Sequence, residues 1–353
     1  MLKLTIFCSM ISVVNFTPRL IKAALVLLLF ILSACSPAPP EYMRLSGMTM
    51  GTSYHITLRN PGDWTAQSLQ QALDERLAAF NQIASTYIPD SELSHLNAMP
   101  AGEWRTLTPM LFDILVVSIE VSWLSNGAFD VTVGPLVDLW GFGPEKHEGT
   151  PDDVAITKAL AEVGFDRIEL DMAEHKLKKN AELRIDLSAV AKGYGVDAVA
   201  LWLESLGSID YLVEIGGEMR SAGLSPRGDQ WRIGVESPDL EADKTTPILL
   251  GNIGVATSGD YRNYFEENGV RYSHTIDPRT GRPITHNLAS VTVLDPSCAF
   301  ADAMATAFSV LGGDKTMELA EQLGIAVYLI EKTENGFSSR YSSSFAPYLE
   351  QEK

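Results

Sequence analysis

The chain is short of cysteine and of positive charge. Three cysteines occur in 353 residues, and 27 lysines and arginines face 45 aspartates and glutamates, giving a formal charge of −18. So acidic a body disfavours nucleic acid and anionic lipid surfaces as partners. The six histidines, His55, His95, His147, His175, His274 and His286, are scattered without H-E-x-x-H or Cys-His spacing, which argues against zinc chemistry. There is no G-x-S-x-G elbow, no G-x-x-x-x-G-K-[ST] loop and no internal repeat. Gly193-Tyr194-Gly195-Val196-Asp197-Ala198 matches the dinucleotide pattern G-x-G-x-x-A, but "SAVAK" separates the strand-like "RIDL" from Gly193 and already looks helical. A Rossmann turn has no room for those residues.

No apolar run is long enough for a typical membrane span. The longest, Ala23 to Leu32, is about half that length. It follows Lys3, Arg19 and Lys22 with no acid before it, and it precedes Ser33-Ala34-Cys35, the layout of a secretory signal. Leu32-Ser33-Ala34-Cys35 resembles a bacterial lipobox, so the expected organisation is a lipoprotein signal over residues 1–34, a lipidated Cys35 with a proline-rich tether over 35–45, and one functional domain over 46–350. Met10 is an alternative start that leaves the mature chain unchanged. Cleavage removes three cations and takes the charge from −18 to −21. With Cys8 lost and Cys35 lipidated, Cys298 has no intramolecular partner, and a hydrophobic core must stabilise the fold. The 46% apolar composition supplies one.

Periodicity predicts a strand entered through a glycine turn over Met48–Arg59, amphipathic helices in "SLQQALDERLAAFNQIAS" and "TPMLFDILVVSIEVSWLSNG", and a third in "PDDVAITKALAEVG" after an irregular stretch. "RIELD" and "KLKKN" read as a hairpin, followed by strands "LRIDL", "YLVEIGGEMR" and "WRIGVES". A helix entered at Ser188 and stopped by Gly207 interrupts them. The strand "LASVTVLD", two helices and the strand "IAVYLIEK" close the chain. Strands and helices without strict alternation indicate α+β.

Polar residues in apolar or glycine-rich surroundings mark the chemistry. In the helix "FADAMATAFSVLGG", Asp302, Thr306 and Ser309 form one narrow stripe opposite Met304, Phe308 and Leu311. Asp302 reads either as an N-cap or, with Thr306 one turn later, as hard oxygens for magnesium. Asp186 precedes a helix N-terminus, as a dipole partner or as part of a phosphate or cation turn, and Lys192 lies one turn inside, reaching a ligand or solvent. His274 ends a strand before the turn Asp277-Pro278-Arg279-Thr280-Gly281. A histidine beside Arg279 and Arg282 suits a phosphate-transfer site.

Eight ordered segments, "GMTMGTSY" (47–54), "STYIPDSELSHLN" (85–97), "NGAFDVTVGPLVDLWGFG" (126–143), "DLSAVAKGYGVD" (186–197), "EIGGEMR" (214–220), "SGDYRNYF" (258–265), "HTIDPRTGRP" (274–283) and "ADAMATAFSVLG" (301–312), resemble the ApbE family of FAD:protein FMN transferases. The resemblance implies an α+β fold with a T-fold-like body and a smaller α/β lobe, FAD lying in the cleft between them. It implies that Met50, Tyr87, Ala128, Phe129, Asp130, Asp186, Lys192 and Ile276 surround FAD. It further implies that the Ala189 carbonyl, Asp302 and Thr306 hold magnesium, and that His274 is the important histidine.

The implied reaction moves FMN from FAD to a threonine hydroxyl of an acceptor protein with release of AMP. The alternatives are an FAD pyrophosphatase and a non-catalytic FAD-binding lipoprotein. In the family, acceptors are membrane redox subunits, such as those of sodium-pumping NADH:quinone reductase and related electron-transfer complexes, carrying D-G-x-[ST]-[GS]-A-T. This chain lacks that motif. Lipidation and family together give an expected place on the periplasmic side of the inner membrane, with the outer membrane open.

Overall fold

The computed structural model describes residues 41–143, 149–236, 245–259, 264–267 and 270–350. The expected signal, Cys35 and most of the tether lie outside these residues, as does His147. The first strand begins at Tyr42, inside the stretch expected as tether.

One eight-stranded sheet organises the molecule. Its strands, Tyr42–Thr49, Thr52–Arg59, Tyr211–Ile215, Glu218–Ala222, Ile253–Gly259, Leu288–Asp295, Ala326–Thr333 and Gly336–Tyr341, lie side by side in chain order, and every neighbouring pair is antiparallel. This meander is not the parallel sheet of a dinucleotide fold, and Gly193 to Ala198 lie inside the helix Ala191–Ser205.

Alternation in the late strands serves two cores. Val327 and Leu329 pack with Met304 and Phe308 of the helix Cys298–Leu311. Ala326, Tyr328 and Ile330 point the other way, onto Trp231, Val235, Ile248 and Leu250 of the hairpin formed by Trp231–Glu236 and Thr245–Leu250. Covering both faces is why "LASVTVLD" is buried over seven of its eight residues, with only Ser290, Thr292 and Asp295 polar. Each such side chain contributes about 1.5–3 kcal/mol relative to exposure.

The helix Cys298–Leu311 is buried nearly all round. Alanines at 299, 301, 303, 305 and 307 let the sheet and the helices Pro109–Leu124 and Ala191–Ser205 approach it closely. The approach is closest at Gly193, where a Cβ would overlap the Cys298 carbonyl oxygen and crowd Asp302. A smaller core of Leu136, Trp140, Ile156 and Ile276 builds the second lobe, and Trp140 Nε1–H donates to the Gly281 carbonyl at 2.8 Å.

Five local expectations change. Met48–Arg59 is parts of two strands, turned at Met50 and Gly51 with φ of 49° and 74°. "YLVEIGGEMR" is likewise a hairpin, because Gly216 and Gly217 adopt φ of 62° and 104°. Leu183, Ile185 and Leu187 alternate into the core as a strand would, but residues 183–187 belong to no strand. The following helix starts at Ala191 and not at Ser188, after a turn over 188–190. The stretch read as irregular contains the short helix Gly134–Leu139.

Candidate functional site

A cavity of about 890 Å³ opens between the sheet with its two buried helices and the smaller lobe. That is the upper end of the range for small-molecule sites. Tyr87, Ala128, Phe129, Asp130, Asp186, Ala189, Lys192, His274, Ile276, Asp302 and Thr306 all line it. Met50 does not. Its side chain packs against Gly195 and the two larger cores.

The Ala128–Val131 loop leaves the helix Pro109–Leu124 through Asn126 and Gly127, both at positive φ, and Phe129 N–H donates to Ser125 Oγ at 3.1 Å. Asp130 is buried and accepts from Thr132 N (2.7 Å), Thr132 Oγ1 (2.6 Å) and Phe165 N (3.0 Å). Burial raises its carboxyl above the ordinary value, against those three donors. Asp186 Oδ1 accepts from Ser188 N (2.8 Å) and Ser188 Oγ (2.6 Å), and Asp186 N–H donates to Val131 O (2.7 Å). Asp186 therefore shapes the turn that presents Ala189 instead of capping the helix five residues on.

Asp302 is not the cap of its own helix; Ser297 is, accepting from Phe300 N at 3.2 Å. The helix Ala191–Ser205 has no side-chain cap of its own, and one of its early N–H groups, that of Gly193, donates to Asp302 Oδ2 at 2.9 Å. Thr306 stands one turn further along the same cavity-facing stripe.

Lys192 is not a free surface chain. Its Nζ pairs with Glu218 Oε1 at 2.5 Å, while the buried Glu218 Oε2 has no hydrogen-bond partner. Glu218, at the start of its strand behind Gly216-Gly217, was not singled out from sequence, although "EIGGEMR" contains it; a single acid after a turn carries no periodic signal. Burial, and then the Asp302 charge, push the Glu218 carboxyl up to about 7 against the pull of Lys192. Burial works against the Lys192 charge, but Asp302 and Glu218 outweigh it and hold the ammonium above its ordinary value.

Arg279 and Arg282, expected beside His274, do not line the cavity with it. Arg279 folds back onto Asp277 through two 2.8 Å bonds, Arg282 reaches Asp153 at 2.6 Å, and neither lines the large cavity. His274 does line it, with Phe142 edge-on at 6.2 Å. Among the described residues, Lys192 is the one lysine or arginine on a wall that also carries Asp130, Asp186, Glu218, Glu236 and Asp302.

Fold and cavity together define a two-lobed α+β protein with a ligand cleft lined by carboxylates, one lysine and a histidine among the described residues. The model of the ApbE family matches residues 50–329. The chain belongs to that family. It is 45% identical over 325 residues to the FAD:protein FMN transferase of Vibrio cholerae, covering 91% of this chain and 96% of that one. The Haemophilus influenzae FAD:protein FMN transferase is 43% identical, with 90% and 94% covered. Among solved structures, the flavin transferase ApbE from Vibrio cholerae superimposes with a TM-score of 0.82 at 44% identity over 88% of this chain and 100% of that one. The apo Pseudomonas stutzeri flavinyl transferase ApbE gives 0.82 at 38%, covering 89% and 98%.

Proposed function

We propose that this protein transfers FMN from FAD to a threonine hydroxyl of an acceptor protein and releases AMP. The observation that carries the reading is the cleft itself, which eleven residues assigned on family resemblance line together. In the transfer, the threonine Oγ bonds to the FMN-side phosphorus, the bond from that phosphorus to the bridging oxygen breaks, and AMP leaves. The hydroxyl proton passes to a base on the wall, for which His274 is placed.

The residues fit magnesium. Among the described residues no three His, Cys, Asp or Glu side chains gather as a metal cluster. A cation would be held instead by the Asp302 oxygen not engaged by Gly193, the Thr306 hydroxyl and the Ala189 carbonyl, all hard oxygens on the cavity lining. The unpartnered Glu218 oxygen and the excess of carboxylates add negative potential. When bound, the ion neutralises charge developing on the pyrophosphate. The protein's own part is to hold Asp302 through Gly193, to keep Lys192 charged beside Glu218, and to place the aromatic ring of Phe129 and the Ile276 side chain along the flavin end of the cleft.

Lipidation at Cys35, a place on the periplasmic side of the membrane and membrane redox subunits as acceptors complete the reading; they rest on the lipobox-like sequence and the family resemblance. The test incubates the protein with FAD, magnesium and a flavin-acceptor domain. Covalent in-gel flavin fluorescence and stoichiometric AMP are expected. AMP accumulating with FMN while no covalent flavin forms would make the protein a pyrophosphatase and sink the transferase reading.

A further inference from the structure

Outside the cleft, the structure spends a fully buried lysine and an asparagine on one short irregular segment. Residues 183–187 have no strand beside them, yet Ile185 is fully buried and its backbone groups need partners. The Asn97 side chain supplies both: Oδ1 accepts from Ile185 N at 2.7 Å and Nδ2 donates to Ile185 O at 2.8 Å, as a neighbouring strand would. One residue on, Asp186 N–H donates to Val131 O at 2.7 Å. Two adjacent residues thus tie the helix Glu92–Ala98 to the Ala128–Val131 loop.

Asn97 is itself fixed. Lys179 Nζ donates to the Asn97 carbonyl at 2.9 Å and to the Leu183 carbonyl at 3.2 Å. Lys179 is completely buried, and burial draws its ammonium below the ordinary value, against the Glu182 charge. An aliphatic residue would fill the same space without that desolvation cost, so the ammonium is there for the two carbonyls it satisfies.

We infer that Asn97, held by Lys179, is a positioning residue that sets the Asp186 side chain on the cleft wall for FAD. The inference rests on the proposed function, in that Asp186 contacts FAD there. A side-chain amide fixes one residue of an extended segment more sharply than a ladder shared along a strand, because both of its bonds converge on Ile185.

The test is a double-mutant cycle read as FAD affinity by flavin fluorescence on the full mature protein. Asn97→Ala is expected to weaken FAD about tenfold, the low end for residues that orient a contacting group. In an Asp186→Ala background, Asn97→Ala is expected to have little further effect, since it acts through that residue. If Asp186→Ala weakens FAD and the Asn97→Ala effect simply adds to it, the positioning role is overturned while the function stands. If Asp186→Ala binds FAD as the parent does, the reading of the cleft fails at that residue and takes the inference with it. Should Asn97→Ala not fold, Asn97→Ser takes its place in the cycle; one hydroxyl cannot bridge both Ile185 groups.

Discussion

The Asp302 carboxylate accepts the backbone N–H of Gly193 at 2.9 Å, so this acid caps the neighbouring helix while its other oxygen remains for the cleft. The cap weighed from sequence, of its own helix, belongs to Ser297; the cap Asp302 makes is on the neighbouring helix, it leaves an oxygen for the cleft, and substitution separates the two roles. Asp302→Asn keeps an acceptor for Gly193 and removes the charge, so thermal stability should stay within a few degrees while magnesium-dependent transfer is lost. Asp302→Ala should lose transfer and also about 1 kcal/mol of stability, the usual worth of a cap. Calorimetry and AMP release read the two effects. Normal magnesium dependence in Asp302→Asn would return the residue to a cap alone.

Gly193 has the complementary constraint. A Cβ there would meet the Cys298 carbonyl and Asp302, both on a helix buried nearly all round. Gly193→Ala is expected to destabilise by about 1–3 kcal/mol, the range for overpacking. Denaturant midpoints check it, and a change below half a kcal/mol would mean that the two helices can slide.

The Glu218 carboxyl, held at about 7 against 4.5 for an ordinary glutamate, makes the metal-free protein pH-sensitive. The native chain keeps a proton there that the unfolded chain releases, so the stabilisation is complete below about pH 4.5 and is lost as the pH rises to 7, with no further loss from this group above that. The slope follows from the native state binding more protons than the unfolded chain across that window. Melting temperatures measured without magnesium between pH 5 and 8 should fall more steeply for the parent than for Glu218→Gln, whose side chain cannot ionise. Parallel curves would remove Glu218 as the cause.

His274 lines the cavity, and neither Arg279 nor Arg282 does. His274→Asn is expected to cut transfer by about 10²–10⁴, the range for losing a general base, with FAD affinity little altered. A loss confined to FAD binding would make the ring a flavin contact.

The sequence carried the site further than the fold. Asp302 and Thr306 are one helical turn apart whatever surrounds them, so periodicity alone put them on one stripe, and Asp186 and Ala189 are fixed together by a short turn. What it hid were relationships set by other parts of the chain. Leu183, Ile185 and Leu187 have a strand's alternation, but whether a ladder or Asn97 satisfies their backbone depends on a residue nearly ninety positions away. Met50 sits in a motif of the family, yet its positive φ at the hairpin turn accompanies a side chain packed on Gly195 and not on the cavity wall. Lys192 and Glu218 lie in separate motifs, and only the packing of a helix on a strand makes them an ion pair.

The arginines give the sharpest contrast between position in sequence and position in space. Arg279 and Arg282 flank the histidine motif, but a bidentate Asp277 and the Asp153 carboxylate already neutralise them away from the large cavity. Lys192, more than eighty residues earlier, is the cation that faces the carboxylate-rich wall. Arg282 and its partner are exposed, and such pairs are worth roughly 0–1 kcal/mol, so Arg282→Ala should change KM for FAD and kcat by less than about twofold. Lys192→Gln removes the wall's ammonium and leaves Glu218 unpaired beside Asp302, which should weaken FAD about tenfold or more, as loss of a charge-assisted contact does. Steady-state kinetics on the two variants decide the matter. A large KM effect in Arg282→Ala together with a small one in Lys192→Gln would place the pyrophosphate at the Asp277–Arg282 turn instead of at the helix ends.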